Sequence, residues 1–406
     1  MQQAMKLPFA ILCAVPFIMV LGNSMLVPLL PAMRTTLNVS LVQVTLFITA
    51  FSLPAGLVIP FAGFLSDYYG RKVIMAPALI IYGLGGILAG LAAWLATSPY
   101  YLILGSRILQ GIGAGGTYQL AMALTGDIFQ SKERTKTLGL LEASNGLGKV
   151  VSPIAGSLAG LIAWFAPFFI YGLLAVPVGL AVWFGVQEPA GEKKEKVAFR
   201  DYFRDLGLTF QTRGLSVLGC ILAGMVVLFI LFGVLSYVSD ILEATYGIRG
   251  VYTGLLIAIP VATMALTSYL SGSYMQQKTG NLLKIAIVAG LVLNAGALVV
   301  MGFFANIYAF FLATVVMGIG TGIVLPSVNT LITSVSAKER GGITCLYGSM
   351  RFFGVALGPP AFGLAMTMGR LPLFLGAAVL AGVVAFFTAS FIQAEKMLPP
   401  ELLPGH

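Results

Sequence analysis

Gly63-Phe-Leu-Ser-Asp-Tyr-Tyr-Gly-Arg-Lys72 lies between two apolar runs, each long enough to cross a bilayer. A carboxylate, two glycines and two cations are crowded into what must be a tight turn at a membrane surface. Gly63 and Gly70 allow helices and a turn to approach closely. Asp67, Arg71 and Lys72 can form charge pairs there. Anchoring a span end on its inner side needs only cations. Asp67 and the glycines therefore ask for a further reason.

The rest of the chain has the same character. Its 406 residues are 58% hydrophobic and 9% charged, whereas soluble domains carry about 25% charged residues. The excess apolar surface is meant for lipid. A membrane helix takes about 20 apolar residues, and twelve candidate spans fit at roughly 8–32, 41–65, 73–96, 99–125, 137–162, 165–187, 214–239, 250–275, 281–304, 307–334, 341–368 and 371–393. Barrel strands would be about 10 residues long and alternating, so the fold class is an all-α integral membrane protein. A β-barrel is excluded by run length.

The net charge of +9 follows the distribution of cytoplasmic cations and not a nucleic-acid footprint. With the N-terminus inside, Lys6, Arg71, Lys72, Lys132, Arg134, Lys136, the run from Lys193 to Arg213, Lys278, Lys284, Lys338, Arg340 and Lys396 are cytoplasmic. Only Arg34, Arg249 and Arg370 lie outside. The positive-inside rule then puts both termini in the cytoplasm of a multi-pass protein of a bacterial inner membrane. The first apolar run is too long for a cleavable signal. Cys13, Cys220 and Cys345 stand singly, without disulfide or metal spacing, and the sole histidine is His406. No metal site and no cofactor is implied.

One long polar segment, Gln187 to Gly214, divides the chain. It reads as a linker (188–213) between two bundles, 1–187 and 214–406. Its first part, Glu192-Lys-Lys-Glu-Lys196, is a solvated charge run. Its second part sets Phe199, Tyr202, Phe203, Leu206 and Phe210 on one helical face, as in a helix lying on the membrane surface. The two halves repeat. Gly111-Ile-Gly-Ala-Gly115 recurs as Gly318-Ile-Gly-Thr-Gly322, Lys132-Glu-Arg134 as Lys338-Glu-Arg340, and Gly148 and Pro153 as Gly354 and Pro359. The register holds to within one residue. The glycine stretch is no dinucleotide fingerprint, because no strand precedes it and it lies inside an apolar run. Small residues there suit close helix packing in lipid.

The 63–72 loop matches the pattern G-x-L-x-D-x-x-G-R-K and resembles the loop between helices 2 and 3 of the major facilitator superfamily. The resemblance implies twelve transmembrane helices in two pseudo-symmetric six-helix bundles, with substrate at the bundle interface. It also implies that Asp67 and Arg71 join an acid at the inner end of helix 4, here Asp127, in a gating latch with Gly63, Gly70 and Lys72. Around Gly272 to Gly280 the second copy lacks the acid and the arginine. Gly139-x8-Gly148-x3-Ser152-Pro153-x2-Gly156-Ser157 resembles the antiporter motif of the twelve-helix drug:proton export branch, with serine at two glycine positions. Arg107-Ile-Leu-Gln110-Gly111 resembles the family's helix-4 motif, whose arginine is associated with proton transfer. Two readings of Arg107 stay open: a proton-coupling group, or a structural cation bonded to first-span carbonyls beside Asn23. A cation this deep is costly unless it faces a cavity or a partner.

The fifth span also carries Glu142, Asn145 and Lys149 on one face. Lys149 leans back toward Glu142. Arg351 occupies the repeat position of Asn145. Many members of the branch have an acid in helix 1 where this chain has Asn23, so Glu142 is the leading proton carrier, with Arg107 and Lys149 coupled to it. Asp240 and Glu243 are weaker candidates. Asn23, Gln110, Asn145, Lys149 and Arg351 are expected at a substrate cavity with positive bias, which suits acidic substrates. The alternative is a neutralised structural network. Together these features imply a secondary transporter, not an enzyme: a proton-coupled antiporter that exports amphipathic small molecules and acts as a monomer in the bilayer. The alternative is an exporter or flippase of an acidic metabolite, siderophore or lipid-linked molecule. A proton symporter or a non-transporting sensor fits less well. The expected partners are a small-molecule substrate, protons and lipid, with no nucleic acid.

Overall fold

The computed structural model describes residues 5–129, 131–188, 199–275, 280–304, 306–334, 340–393 and 397. Among these the secondary structure is helical: α1 (Lys6–Ser24), α2 (Leu30–Leu37), α3 (Leu41–Tyr69), α4 (Arg71–Leu95), α5 (Tyr100–Gly115), α6 (Tyr118–Ile128), α7 (Ser131–Gly160), α8 (Ala166–Gly185), α9 (Phe199–Ala244), α10 (Val251–Met275), α11 (Gly280–Phe303), α12 (Ile307–Ser334), α13 (Arg340–Ala365) and α14 (Arg370–Phe391). α1 with α2 forms one span and α5 with α6 another, which gives the twelve expected spans. Nine of these helical stretches, in the described residues, are both long and apolar enough to cross a membrane. The other three spans, α5 with α6, α7 and α13, hold the glycines, prolines and polar residues of the motifs.

Three spans depart from the expected continuous helices, each for a local reason. The first breaks after Ser24. Pro28 has no N–H for the Ser24 carbonyl and its ring crowds that position. A 3-10 turn (Val27–Leu29) bridges to α2, where Pro31 sits near the start. The fourth breaks at Gly116 and Thr117, where adjacent glycines weaken the helix. The seventh begins early: α9 runs from Phe199 through a kink at Arg213 (φ −134°). Helix thus covers 199–212 as expected, while the aromatic side chains placed on its membrane face lie outside the described residues. So does the charge run at 192–196.

The chain folds as two compact units, Met1–Val197 with Val238–Ala258, and Ala198–Tyr237 with Ile259–His406. The end of α9 and the start of α10, residues 238–258, pack with the first unit. Each unit uses its glycine stretch in the same way. A Cβ on Gly111 would lie 2.1 Å from the Phe51 carbonyl oxygen of α3, and one on Gly318 would lie 2.5 Å from the Pro260 oxygen of α10. Likewise Gly148 packs on Phe17 of α1 and Gly354 on Met225 of α9. The sequence repeat is therefore a repeat of backbone-to-backbone contacts, the kind that holds helices together where lipid removes the hydrophobic drive.

The core of the first unit joins α1, α4, α6, α7 and α8 through Leu12, Val15, Met75, Leu79, Leu120, Leu124, Leu141 and Val182. In the second, Tyr237, Phe310, Phe362 and Phe374 form an edge-on aromatic cluster, with Tyr237 and Phe374 centroids 5.0 Å apart. Arg370 lies over Phe310 and donates to the Met301 and Phe304 carbonyls, which satisfies the C-terminal end of α11.

Candidate functional site

The junction of α3 and α4, where only Gly70 lies outside a helix, assembles around Arg71. Its guanidinium pairs with Asp67 at 3.0 Å and with Asp127 at 2.6 Å. Both carboxylates are about half exposed, so each pair contributes at most about 1 kcal/mol. The stronger feature is Glu188, just past α8. Its two carboxylate oxygens accept the backbone N–H groups of Arg71 (2.7 Å) and Lys72 (3.1 Å). These are orphan donors at the start of α4, where the helix dipole also favours an anion. Gly70 makes the arrangement possible. Its φ is +107°, and a Cβ there would lie 3.0 Å from Glu188 Oε2. The junction therefore ties α3, α4 and α6 to the end of α8. Glu188→Ala is expected to lower stability by about 0.5–2 kcal/mol, the range for loss of a helix N-cap. Thermal unfolding in detergent measures it, and an unchanged midpoint would refute the cap.

Arg107 lies fully buried in α5, and its bonds run to neutral groups. Nε donates to the Phe47 carbonyl (2.9 Å), and Nη1 to the Gly22 carbonyl (2.8 Å) and Gln110 Oε1 (2.6 Å). Nη2 donates to Asn23 Oδ1, the Tyr171 hydroxyl is 3.5 Å from Nη1, and the guanidinium lies 4.6 Å over Phe51. Asn23 in turn donates to Ser52 (2.6 Å). The Gly22 carbonyl is available because the helix break sends the Leu26 N–H to Asn23 instead. Arg107 thus bonds one carbonyl of the first span, Gly22, one of α3, Phe47, and the neutral side chains of Asn23 and Gln110. Asn23 and Gln110, expected along a substrate cavity, are instead buried in this shell.

Much of the glycine–serine motif on α7 packs closely against neighbouring helices. A Cβ on Gly156 would lie 2.1 Å from the Met25 carbonyl oxygen, and one on Gly148 3.0 Å from that of Phe17. Ser152 donates to the Gly148 carbonyl, a bond along the helix that suits a buried serine. Ser157 and Pro153 abut Gly254 of α10, within the same unit. Gly139 has open space around it. Asn145 is buried, and the neighbouring Ser144 donates to the Cys13 carbonyl at 2.7 Å.

Leu141 points into the core, which turns Glu142 to an exposed face. There Glu142 Oε2 accepts the hydroxyl hydrogen of Tyr118, at the first turn of α6. Lys149, about two turns along α7, is half-buried, as is Arg351 on α13, whose guanidinium lies 5.6 Å over the Tyr347 ring. Asp240 and Glu243, the weaker proton candidates, pair with Arg34 (3.0 Å) and Arg249 (2.9 Å). Among the described residues no group of three His, Cys, Asp or Glu side chains could hold a metal ion.

Sequence reading grouped Asp67, Arg71 and Asp127 correctly as neighbours, and it placed Asn23 beside Arg107. It missed Glu188, Tyr118 and Ser52. Glu188 could have been suspected as a lone acid at a span end opposite two cations. Tyr118 carries no signal until the break at Gly116 and Thr117 is known.

A family model described as Major Facilitator Superfamily matches residues 12–359. The chain belongs to the major facilitator superfamily. As a major facilitator protein it is a multi-pass membrane transporter of small-molecule substrates and not an enzyme. It is 37% identical to the bacillibactin exporter of Bacillus subtilis (strain 168), over 95% of this chain and 96% of that one. A multidrug efflux protein of the same organism is 26% identical, over 91% of each chain. A bacterial homologue of the human lysosomal transporter Spinster, solved by crystallography, superposes with a TM-score of 0.78 at 17% identity, covering 98% of this chain and 100% of that one. This last likeness supports the fold alone.

Proposed function

We propose that this major facilitator protein exports an acidic, siderophore-type metabolite from a bacterial cell in exchange for protons. The observation that carries the reading is the 37% identity to the bacillibactin exporter over 95% of the chain. General drug export, favoured by the sequence motifs alone, has weaker support, since the multidrug relative stands at 26%. Residue chemistry points the same way. The first span offers Asn23, not an acid, and that side chain is committed to Arg107. Among the described side chains of α7, Glu142 is exposed and Lys149 half-buried.

Glu142 is the proposed proton carrier. An ionisable side chain within a membrane span faces the bundle interior or a water-filled cavity and not lipid. Its exposed face is thus read as water-accessible. Lys149 would attract the anionic parts of the substrate. The Arg71 cluster would gate. Both termini are proposed to be cytoplasmic, from the cation distribution, and the working unit a monomer.

Uptake of labelled bacillibactin into inverted membrane vesicles tests the substrate class. Competition by anionic metabolites and indifference to cationic drugs is expected. The opposite pattern would return the protein to the general drug exporters.

A further inference from the structure

Glu142 and Tyr118 meet because the fourth span is broken. α5 ends at Gly115, Gly116 and Thr117 turn the chain, and Tyr118 opens α6. Leu120 and Leu124 root α6 in the same apolar core that Leu141 enters from α7. Both backbones are thereby fixed, and the phenol–carboxylate bond sits at the edge of the core where Glu142 is exposed and Tyr118 half-buried. The bond closes a bridge between two helices, one carrying the Arg71 partner Asp127 and the other the glycine–serine motif.

The chemistry of this bridge depends on proton occupancy. An ionised carboxylate only accepts hydrogen bonds, whereas a carboxylic acid also brings a hydrogen of its own. A bond to an ionised acceptor is about twice as strong as a neutral one. A proton taken up anywhere on the carboxyl removes that assistance. One taken up at Oε2 places two hydrogens in a single contact, so the phenol hydrogen must turn away and the bond becomes a neutral one. Proton loading therefore loosens the tie between α6 and α7, and proton release restores it.

We propose that Tyr118 is a positioning residue for proton coupling: it holds the ionised Glu142 against α6, so that loading is linked to a change in the α6–α7 contact. The proposal rests on Glu142 being the proton carrier. Without the phenol, Glu142 loads and unloads with no cost at that contact, and protons slip across without substrate.

The test uses full-length protein in liposomes with an imposed pH gradient and an internal pH dye. Two quantities are measured: proton movement evoked by bacillibactin, and the leak without it. Tyr118→Phe removes one oxygen from a half-buried position. It is expected to raise the substrate-independent leak several-fold. Tyr118→Phe combined with Glu142→Gln is expected to abolish that leak, which separates it from a general loosening of the bundle. A simple loss of folded protein would lower both quantities together. A wild-type leak in Tyr118→Phe, alongside loss of evoked movement in Glu142→Gln, overturns the role of Tyr118 alone. Evoked movement that survives in Glu142→Gln overturns the carrier reading itself, whatever Tyr118→Phe does.

Discussion

Alanine at Gly156 is expected to destabilise the first unit severely, while alanine at Gly139 of the same motif is expected to be tolerated. The added Cβ at 156 would lie 2.1 Å from a backbone oxygen and 2.8 Å from the Cα and carbonyl carbon of Met25. No side chain can swing aside to relieve that. α7 must move off α1, and overpacking of this kind costs about 1–3 kcal/mol or more. Gly148→Ala, at 3.0 Å from the Phe17 oxygen, should fall between. At Gly139 nothing lies within 4 Å, and alanine gains about 1 kcal/mol of helix propensity. Thermal unfolding of the three variants in detergent should rank them in that order. Equal effects at 139 and 156 would mean that the motif acts through something other than the α1–α7 contact.

Arg107→Ala is expected to have the second large effect. It would leave the Gly22 carbonyl, Asn23 Oδ1 and Gln110 Oε1 without their charged donor inside a sealed core. Each buried acceptor left unpaired costs about 1–3 kcal/mol. Arg107→Lys should rescue poorly, because one ammonium cannot reproduce the planar fork that reaches α1, α3 and Gln110 together. The yield and melting point of folded protein measure this. An alanine variant that melts like the wild type but has lost proton coupling would favour the proton-transfer reading of this arginine.

The fold was legible because bilayer thickness fixes span length and lipid demands unbroken apolar runs. The boundaries at 307–334 and 251–275 follow from hydropathy almost residue for residue. The glycine repeat was legible too, since two stretches in one register must serve two equivalent contacts. Breaks were harder. Pro28 announces the interruption after Ser24, yet Pro16, Pro54 and Pro60 sit inside continuous helices, so proline alone does not decide. Partners across helices were hardest. Glu142 stood out as a charge in a span, but its bond to Tyr118 depends on how a broken helix re-enters the core. Arg107 stood out equally, and only three-dimensional packing reveals that its shell is made of carbonyls, amides and a phenol. Hydropathy carries depth in the membrane and says little about which neighbour a polar group finds.

The most direct measurement of the central claim places the purified protein in liposomes with an internal pH dye and adds bacillibactin or a cationic drug to the wild type and to Glu142→Gln. Bacillibactin should evoke proton movement in the wild type and none in Glu142→Gln, with the cationic drug silent in both. Proton movement evoked by the drug alone, or by bacillibactin equally in both proteins, would contradict proton-coupled export of an acidic metabolite through Glu142.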